Sequence, residues 1–397
     1  MNNKLLLSIT LVSILSSNTV NADWSIRSLG TIDGIYSNAS GINNSGQVVG
    51  EYMPNHSPFF PNGFITKVNG TDITKLDTFG AKFSNAVSIN NSGQVIGYYD
   101  FNDNLNTHAF ITGPNGTGVT DLGTLGGVSS QGLGINDSGQ AIGVSDLSDN
   151  RTQHAFITGA NGVGMIDLGT LDGKTNSVAF GINSSGQVVG GSYSTDGSDS
   201  HAFITGANGA GMFDLGTLDG KTKSYAIGIN DSGQVVGTSS SSSHRDNDSR
   251  AFVTGANGVG MIDLGAMGGD WSIANGINNL GQVIGAAGYG SYGSHANAFI
   301  YSNGVMVNLS YLDVVVEAGW TSLYARAIND NGQIVGHGIL DGVDQAFLLS
   351  GADDEDFYRS YVPFPLPPLP VPEPSTYAML LAGLGLLFFR TKTELNS

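Results

Sequence analysis

The sequence contains no cysteine and little charge: 12% of its 397 residues are Asp, Glu, Lys or Arg. Without cysteine there are no disulfides, no thiolate metal sites and no cysteine nucleophile. Basic residues are scarce, 15 Lys and Arg against 33 Asp and Glu, for a net charge of −18. Such a field repels phosphate backbones and anionic lipid, which excludes nucleic acid as a partner of the chain's body. A divalent cation or an extracellular glycan would be tolerated. Catalytic signatures are missing too, with no Gly-x-Ser-x-Gly, His-Glu-x-x-His, P-loop or calcium-loop pattern. No cofactor is expected, and no catalytic or metal-binding residue is assigned.

Glycine is abundant, with 59 residues, and Asn and Ser are frequent, the composition of tight turns between short strands. The ten residues Gly181 to Gly190, Gly-Ile-Asn-Ser-Ser-Gly-Gln-Val-Val-Gly, have counterparts in seven places, with Ile at 42, 89, 135, 182, 229, 277 and 328. The following Asn, the Gly-Gln pair and the closing Gly are the same in every copy. Successive copies lie 46 to 51 residues apart, a period that marks a repeat architecture.

Each period holds four short runs. In the fourth copy these are Ser177 to Asn183, Gln187 to Gly190, His201 to Thr205 and Met212 to Thr217. Runs of this length between Gly, Asn, Asp and Ser read as strands. A four-stranded unit of this size cannot bury a face alone, which fits a propeller blade. The third run carries a Phe in every copy (64, 110, 156, 203, 252, 299, 347), and these with the seven Ile residues are the expected core between blades. The chain opens on a fourth-run sequence, Ile26 to Thr31, and the body ends on a third run, Ala346 to Ser350. An overlap of this kind closes a ring and removes open edges. The expected fold is therefore all-β: a seven-bladed β-propeller over 23–350, closed by its N-terminal strand, with the first run innermost.

Residues 1–22 read as a signal peptide: Lys4, an apolar stretch from Leu5 to Leu15, and Val20-Asn21-Ala22 with cleavage expected between Ala22 and Asp23. Residues 351–371 form an acidic and proline-rich spacer. Residues 372–397 begin with Pro372, Glu373 and Pro374, continue through an apolar segment at 377–389, and end with the basic Arg390 and Lys392. This order resembles the PEP-CTERM sorting signal. The resemblance implies recognition by an exosortase-type peptidase, a transient inner-membrane anchor through the apolar helix, and a final location at the cell surface or in the exopolysaccharide matrix of a Gram-negative bacterium. The runs His108-Ala109-Phe110, His154-Ala155-Phe156 and His201-Ala202-Phe203, each with Asp-Leu-Gly-Thr-Leu downstream, resemble the HAF family of extracellular repeats. That resemblance implies an extracellular address and no activity.

His108, His154 and His201 share one slot, which other copies fill with Gly, Arg, Asn or Gln. A polar strand start making a local hydrogen bond is expected there, and a structural role is likewise expected for Asp121, Asp167, Asp214 and Asp263. The connections between second and third runs vary most between copies. Tyr52, Phe59, Tyr98, Tyr99, Phe101, Tyr193, Tyr289 and Tyr292 fall there, beside several Asp residues. Aromatic rings with carboxylates suit a sugar, so these residues form the candidate ligand face. The expected role is non-catalytic, as a binding or structural component of the cell surface. The alternative is a polysaccharide lyase or glycoside hydrolase on the same scaffold. An active site would require residues that break the repeat and converge near the axis on one face.

Overall fold

The computed structural model describes residues 24–32, 34–55, 60–100, 106–241, 248–290 and 296–351. These residues form an all-β structure in which each period is a four-stranded antiparallel unit. In the fourth repeat the strands are Asn176–Ile182, Val188–Tyr193, Ser200–Thr205 and Met212–Gly216, hydrogen-bonded in chain order. Along the chain these units make five four-stranded sheets and one eight-stranded sheet. In the latter, a single parallel bridge between Ser200 and Lys223 joins two neighbouring units. The first strand of the chain, Ser25–Ser28, pairs antiparallel with the last, Val343–Ser350, and completes its sheet. Ser28 Oγ donates to Gln345 Oε1 at 2.6 Å. Among the described residues no helix is long and apolar enough to cross a membrane.

The residues that never vary between copies are those the scaffold needs. Asn183 Oδ1 accepts from Gln187 N at 3.0 Å and Ser185 Oγ at 2.8 Å, which closes the turn between the first two strands. Its amide donates to Gln187 Oε1 and, at 3.2 Å, to the carbonyl of Asn230 in the next repeat. Each equivalent Asn does the same, and Asn329 donates at 2.9 Å to the carbonyl of Asn43, 286 residues earlier. The series thus returns to its start. Gly186 takes φ +75°, the left-handed conformation that an unbranched turn residue adopts at least cost. A Cβ on Gly190 would lie 1.9 Å from the Val178 carbonyl oxygen and 2.9 Å from the Phe203 ring, so only glycine fits beneath the bulged first strand.

All seven Phe residues are fully buried. Burial of each contributes roughly 1.5–3 kcal/mol. The Ile residues belong to or pack against the core clusters as expected, but are less completely buried than the Phe, because their other side also lines a central cavity. A recurrent Ser links neighbouring units: Ser130, Ser177, Ser224 and Ser272 each accept from the third-strand N–H of the preceding repeat at 2.8–2.9 Å. Ser37 does the same for Ala346, joining the two ends of the chain at 3.0 Å.

Candidate ligand site in the central cavity

Residues of all seven first strands line one cavity of about 830 Å³. Its narrow end is a second space of about 180 Å³, walled by the Ile-Asn pairs and the residue that follows each. The wide end lies where first strands begin and second strands finish, on the side of the variable connections. The residue two before each Ile faces it in every copy, joined in some copies by the residue four before the Ile and the residue after the closing Gly of the second strand.

At those positions the repeats stop being alike. The first, second and seventh supply Asn38, Glu51, Asn85, Tyr98 and Arg326, whereas the third, fourth and fifth supply Leu133, Phe180 and Ile227. Glu51 follows Gly50 on the strand Val48–Pro54. Its carboxylate accepts from Tyr36 Oη and Asn85 Nδ2, each at 3.0 Å. Burial holds the Glu51 carboxyl above the usual carboxylate range, against the opposing pull of the Tyr36 hydrogen bond and the Arg326 charge. Burial and the nearby Glu51 also push the Tyr98 hydroxyl up. Asn85 Nδ2 reaches Tyr98 Oη at 3.3 Å, while Asn85 Oδ1 is buried without a partner among the described residues.

On the other side of the mouth, the guanidinium carbon of Arg326 lies 4.6 Å from the centre of the Tyr324 ring. Tyr324 stacks on His337, with ring centres 5.5 Å apart and planes 12° from parallel. His337 Nδ1 donates to Asn38 Oδ1 at 3.0 Å. Burial, helped by the Arg326 charge, lowers the His337 pKa to about 4, so the imidazole is neutral near pH 7. Asn275 donates to the Ala325 carbonyl at 2.8 Å and leaves its own carbonyl oxygen as an acceptor. Among the described residues lining the wide part Arg326 is the one cation and Glu51 the one carboxylate, while Asp137, Asp231 and Asp330 stand at the narrow end.

The expected ligand face is only partly realised. Tyr98 lines the cavity. Tyr52 and Tyr99 are buried core residues instead, because the second strand runs on past its closing Gly and alternates side chains between cavity and core. Tyr52 packs with Phe64, and Tyr99 donates to Asp121 Oδ2 at 3.1 Å. Tyr193 ends a second strand and is half-buried, and Tyr289 is exposed. Phe59, Phe101 and Tyr292 lie outside the described residues, as do Ala22, Asp23, Pro372, Glu373 and Pro374 and the segments 1–22 and 352–397. Trp320 and Glu317, two residues peculiar to the seventh repeat, lie elsewhere: Trp320 is buried against Phe347, with ring centres 5.9 Å apart, and Glu317 ends the short helix Asp313–Glu317; neither lines the cavity.

Missed in the sequence were Glu51, Asn38, Asn85, Asn275 and Arg326. Their signal was present: aligned by the Ile, these columns lose the repeat. The three histidines do make local bonds, His108 to Asp121, His154 to Asp167 and His201 to Asp214, at 2.7–2.9 Å. Each Asp also accepts from the N–H two residues on, at 2.7 Å. No group of three or more His, Asp or Glu able to hold a metal ion occurs among the described residues.

Residues 370–392 match the PEP-CTERM protein-sorting motif. That motif is the signal an exosortase recognises and implies a surface-sorted protein. No curated protein matches the chain. Among solved structures, the β-propeller domain of the Trilobed protease from Pyrococcus furiosus superposes with a TM-score of 0.51 at 9% identity, covering 84% of this chain and 99% of that one. A GH74 enzyme of Niastella koreensis superposes with a TM-score of 0.50 at 10% identity, covering 83% of this chain and 53% of that one. An oligogalacturonate lyase of Vibrio parahaemolyticus gives 0.48 at 8% identity, covering 82% and 93%. At such identities the likeness concerns the fold alone, which is propeller-like.

Proposed function

We propose that this chain is an exported seven-bladed β-propeller, closed through its N-terminal strand, that binds a ligand in its central cavity without transforming it. The seven four-stranded units and the Asn series that returns from Asn329 to Asn43 support the ring. The signal-like N-terminus and the HAF-like repeats support an extracellular address. The sorting motif supports release by an exosortase-type peptidase after transient anchoring through 377–389. Presentation at the surface or within an exopolysaccharide matrix follows from that route.

The observation that carries the binding reading is the loss of repeat symmetry at the wide mouth. Scaffold positions are uniform in all copies, whereas polar groups gather from the first, second and seventh repeats onto one wall. A cavity of this volume, part apolar and part polar, is of the size that encloses a small ligand. Both Glu51 oxygens are already hydrogen-bonded and no second carboxylate stands opposite, which favours binding over acid–base hydrolysis. The test is a glycan screen of the mature protein against Ile227→Trp, a variant that fills the cavity from its apolar wall. Binding that Ile227→Trp abolishes supports the cavity as the site, and binding that it leaves intact removes the cavity from the proposal.

A second reading, a lyase or hydrolase, draws on one observation: Glu51 is a buried carboxyl held above its usual range beside the Tyr98 hydroxyl. Such groups cluster at catalytic sites. Release of reducing or unsaturated ends from a bound polysaccharide, lost in Glu51→Gln, would establish it.

A further inference from the structure

The cation of this cavity is out of keeping with the molecule that holds it. The chain carries −18 overall, yet Arg326 is placed where the repeat offers Val87, Leu133, Phe180 and Ile227 in other copies. One face of its guanidinium is held against Tyr324. Tyr324 is in turn stacked on His337, which is tied to Asn38. With this backing the side chain lines the cavity. No hydrogen bond or ion pair to those N–H groups is found among the described residues, and Glu51 is instead occupied by Tyr36 and Asn85. The planar fork of a guanidinium matches the two oxygens of a carboxylate.

Around this fork the polar groups other than the Glu51 carboxyl, which is bonded to Tyr36 and Asn85, are neutral: the amides of Asn38, Asn85 and Asn275 and the hydroxyls of Ser40 and Tyr98. They suit several hydroxyl groups rather than a second charge. Asn275 Oδ1 and the buried, unpartnered Asn85 Oδ1 are acceptors with spare capacity. Across the cavity Leu133, Phe180 and Ile227 offer an apolar surface to the C–H face of a sugar ring.

Resting on the cavity reading above, we propose that the ligand is an acidic saccharide, with Arg326 pairing a uronate-type carboxylate and the neutral amides and hydroxyls taking the ring hydroxyls. Binding forms no covalent bond and displaces only water. The positive charge also makes the site selective, because a neutral sugar of the same shape would leave the guanidinium desolvated and unpaired.

The experiment is calorimetric titration of the mature protein with three tetrasaccharide probes: an α-1,4-linked galacturonate, its methyl ester, and a neutral glucan. The acid should bind best, and the ester should lose about tenfold or more, the value of one charge-assisted fork. Arg326→Gln should remove that preference, and Arg326→Lys, which keeps charge without the fork, should restore only part of it. If Arg326→Gln fails to fold, Arg326→Lys alone still decides, since an unchanged preference in it overturns the role of the fork. Equal binding of all three probes, abolished by Ile227→Trp, overturns the acidic-ligand inference and leaves the cavity reading standing. Binding untouched by Ile227→Trp overturns the inference as well, and with it the cavity reading.

Discussion

At the narrow end of the cavity each of the seven first strands presents the same Ile-Asn pair, and the Asn side chains bond from one repeat to the next. Two residues before that Ile the same strands present Ser40, Val87, Leu133, Phe180, Ile227, Asn275 and Arg326 to the wider part. The difference shows how a repeat protein divides its labour. Where a side chain satisfies backbone groups of its neighbour, any departure costs a buried hydrogen bond, and the copies stay alike. Where it faces the open cavity, its replacement costs the fold little, and the copies are free to diverge into a site.

The largest effect should come from opening the last sheet at its outer edge, on which the return of the Asn series at the narrow end depends. Deleting residues 24–31 removes the strand Ser25–Ser28 and bares the edge of Val343–Ser350. An unpaired edge invites association, so size-exclusion chromatography should show aggregates. A monomeric truncated protein with an unchanged melting transition would break the closed-ring account.

Next in size is Gly190→Ala, which forces a Cβ against the Val178 carbonyl oxygen. Destabilisation of about 3 kcal/mol or more is expected from this overpacking, read in denaturant melts. Asn183→Ala should cost about 2 kcal/mol, since it strands the part-buried Gln187 N–H and removes the bond to the Asn230 carbonyl, which keeps only that from Gly233 N. Asn275→Ala at the wide end, with one bond to a backbone carbonyl, should stay within about 1 kcal/mol. Equal losses in these two variants would erase the distinction between the ends.

The smallest effects concern pH and sharpen the account of the wide end. The His337 pKa is lowered from 6.5 to about 4 in the folded protein. Its contribution is therefore present above pH 6.5 and lost as pH falls through the folded value. Wild type should lose roughly 2–3 kcal/mol more than His337→Gln between those limits. The Glu51 carboxyl is raised, so its contribution is present below 4.5 and lost as pH rises through the folded value. Glu51→Gln should accordingly melt higher than wild type at pH 7 and no higher at pH 4. Thermal melts across that range decide both.

The scaffold was legible in the sequence because its residues recur. The Asn, the Gly-Gln pair and the Phe announced the four-stranded unit, and Ser28 standing in the slot of Asp121 announced the strand that pairs with the end of the chain. The site was not legible for the converse reason. Glu51 and Tyr98 were assigned to a loop because their strand has no turn signal until Pro54 or Asp100, several residues beyond the closing Gly. Side-chain alternation then divides neighbours sharply: Tyr98 to the cavity, Tyr99 to the core. Arg326, Asn38 and Glu51 are 275 residues or more apart between the first and seventh repeats, and only closure of the sheets brings them to one wall.

The pairing of Ser25–Ser28 with Phe347–Ser350 also has a consequence in time. A chain made from its N-terminus holds its first strand idle until nearly the last of the body has appeared. Contacts of such separation form late, because the loop entropy must be lost before they add anything. Until then the earlier units stand as an unfinished stack with two bare edges, and the site, which draws on the first and seventh repeats, does not yet exist. On the proposed binding reading, a chain still being made or exported has no site, and could take up a ligand only where residue 350 arrives.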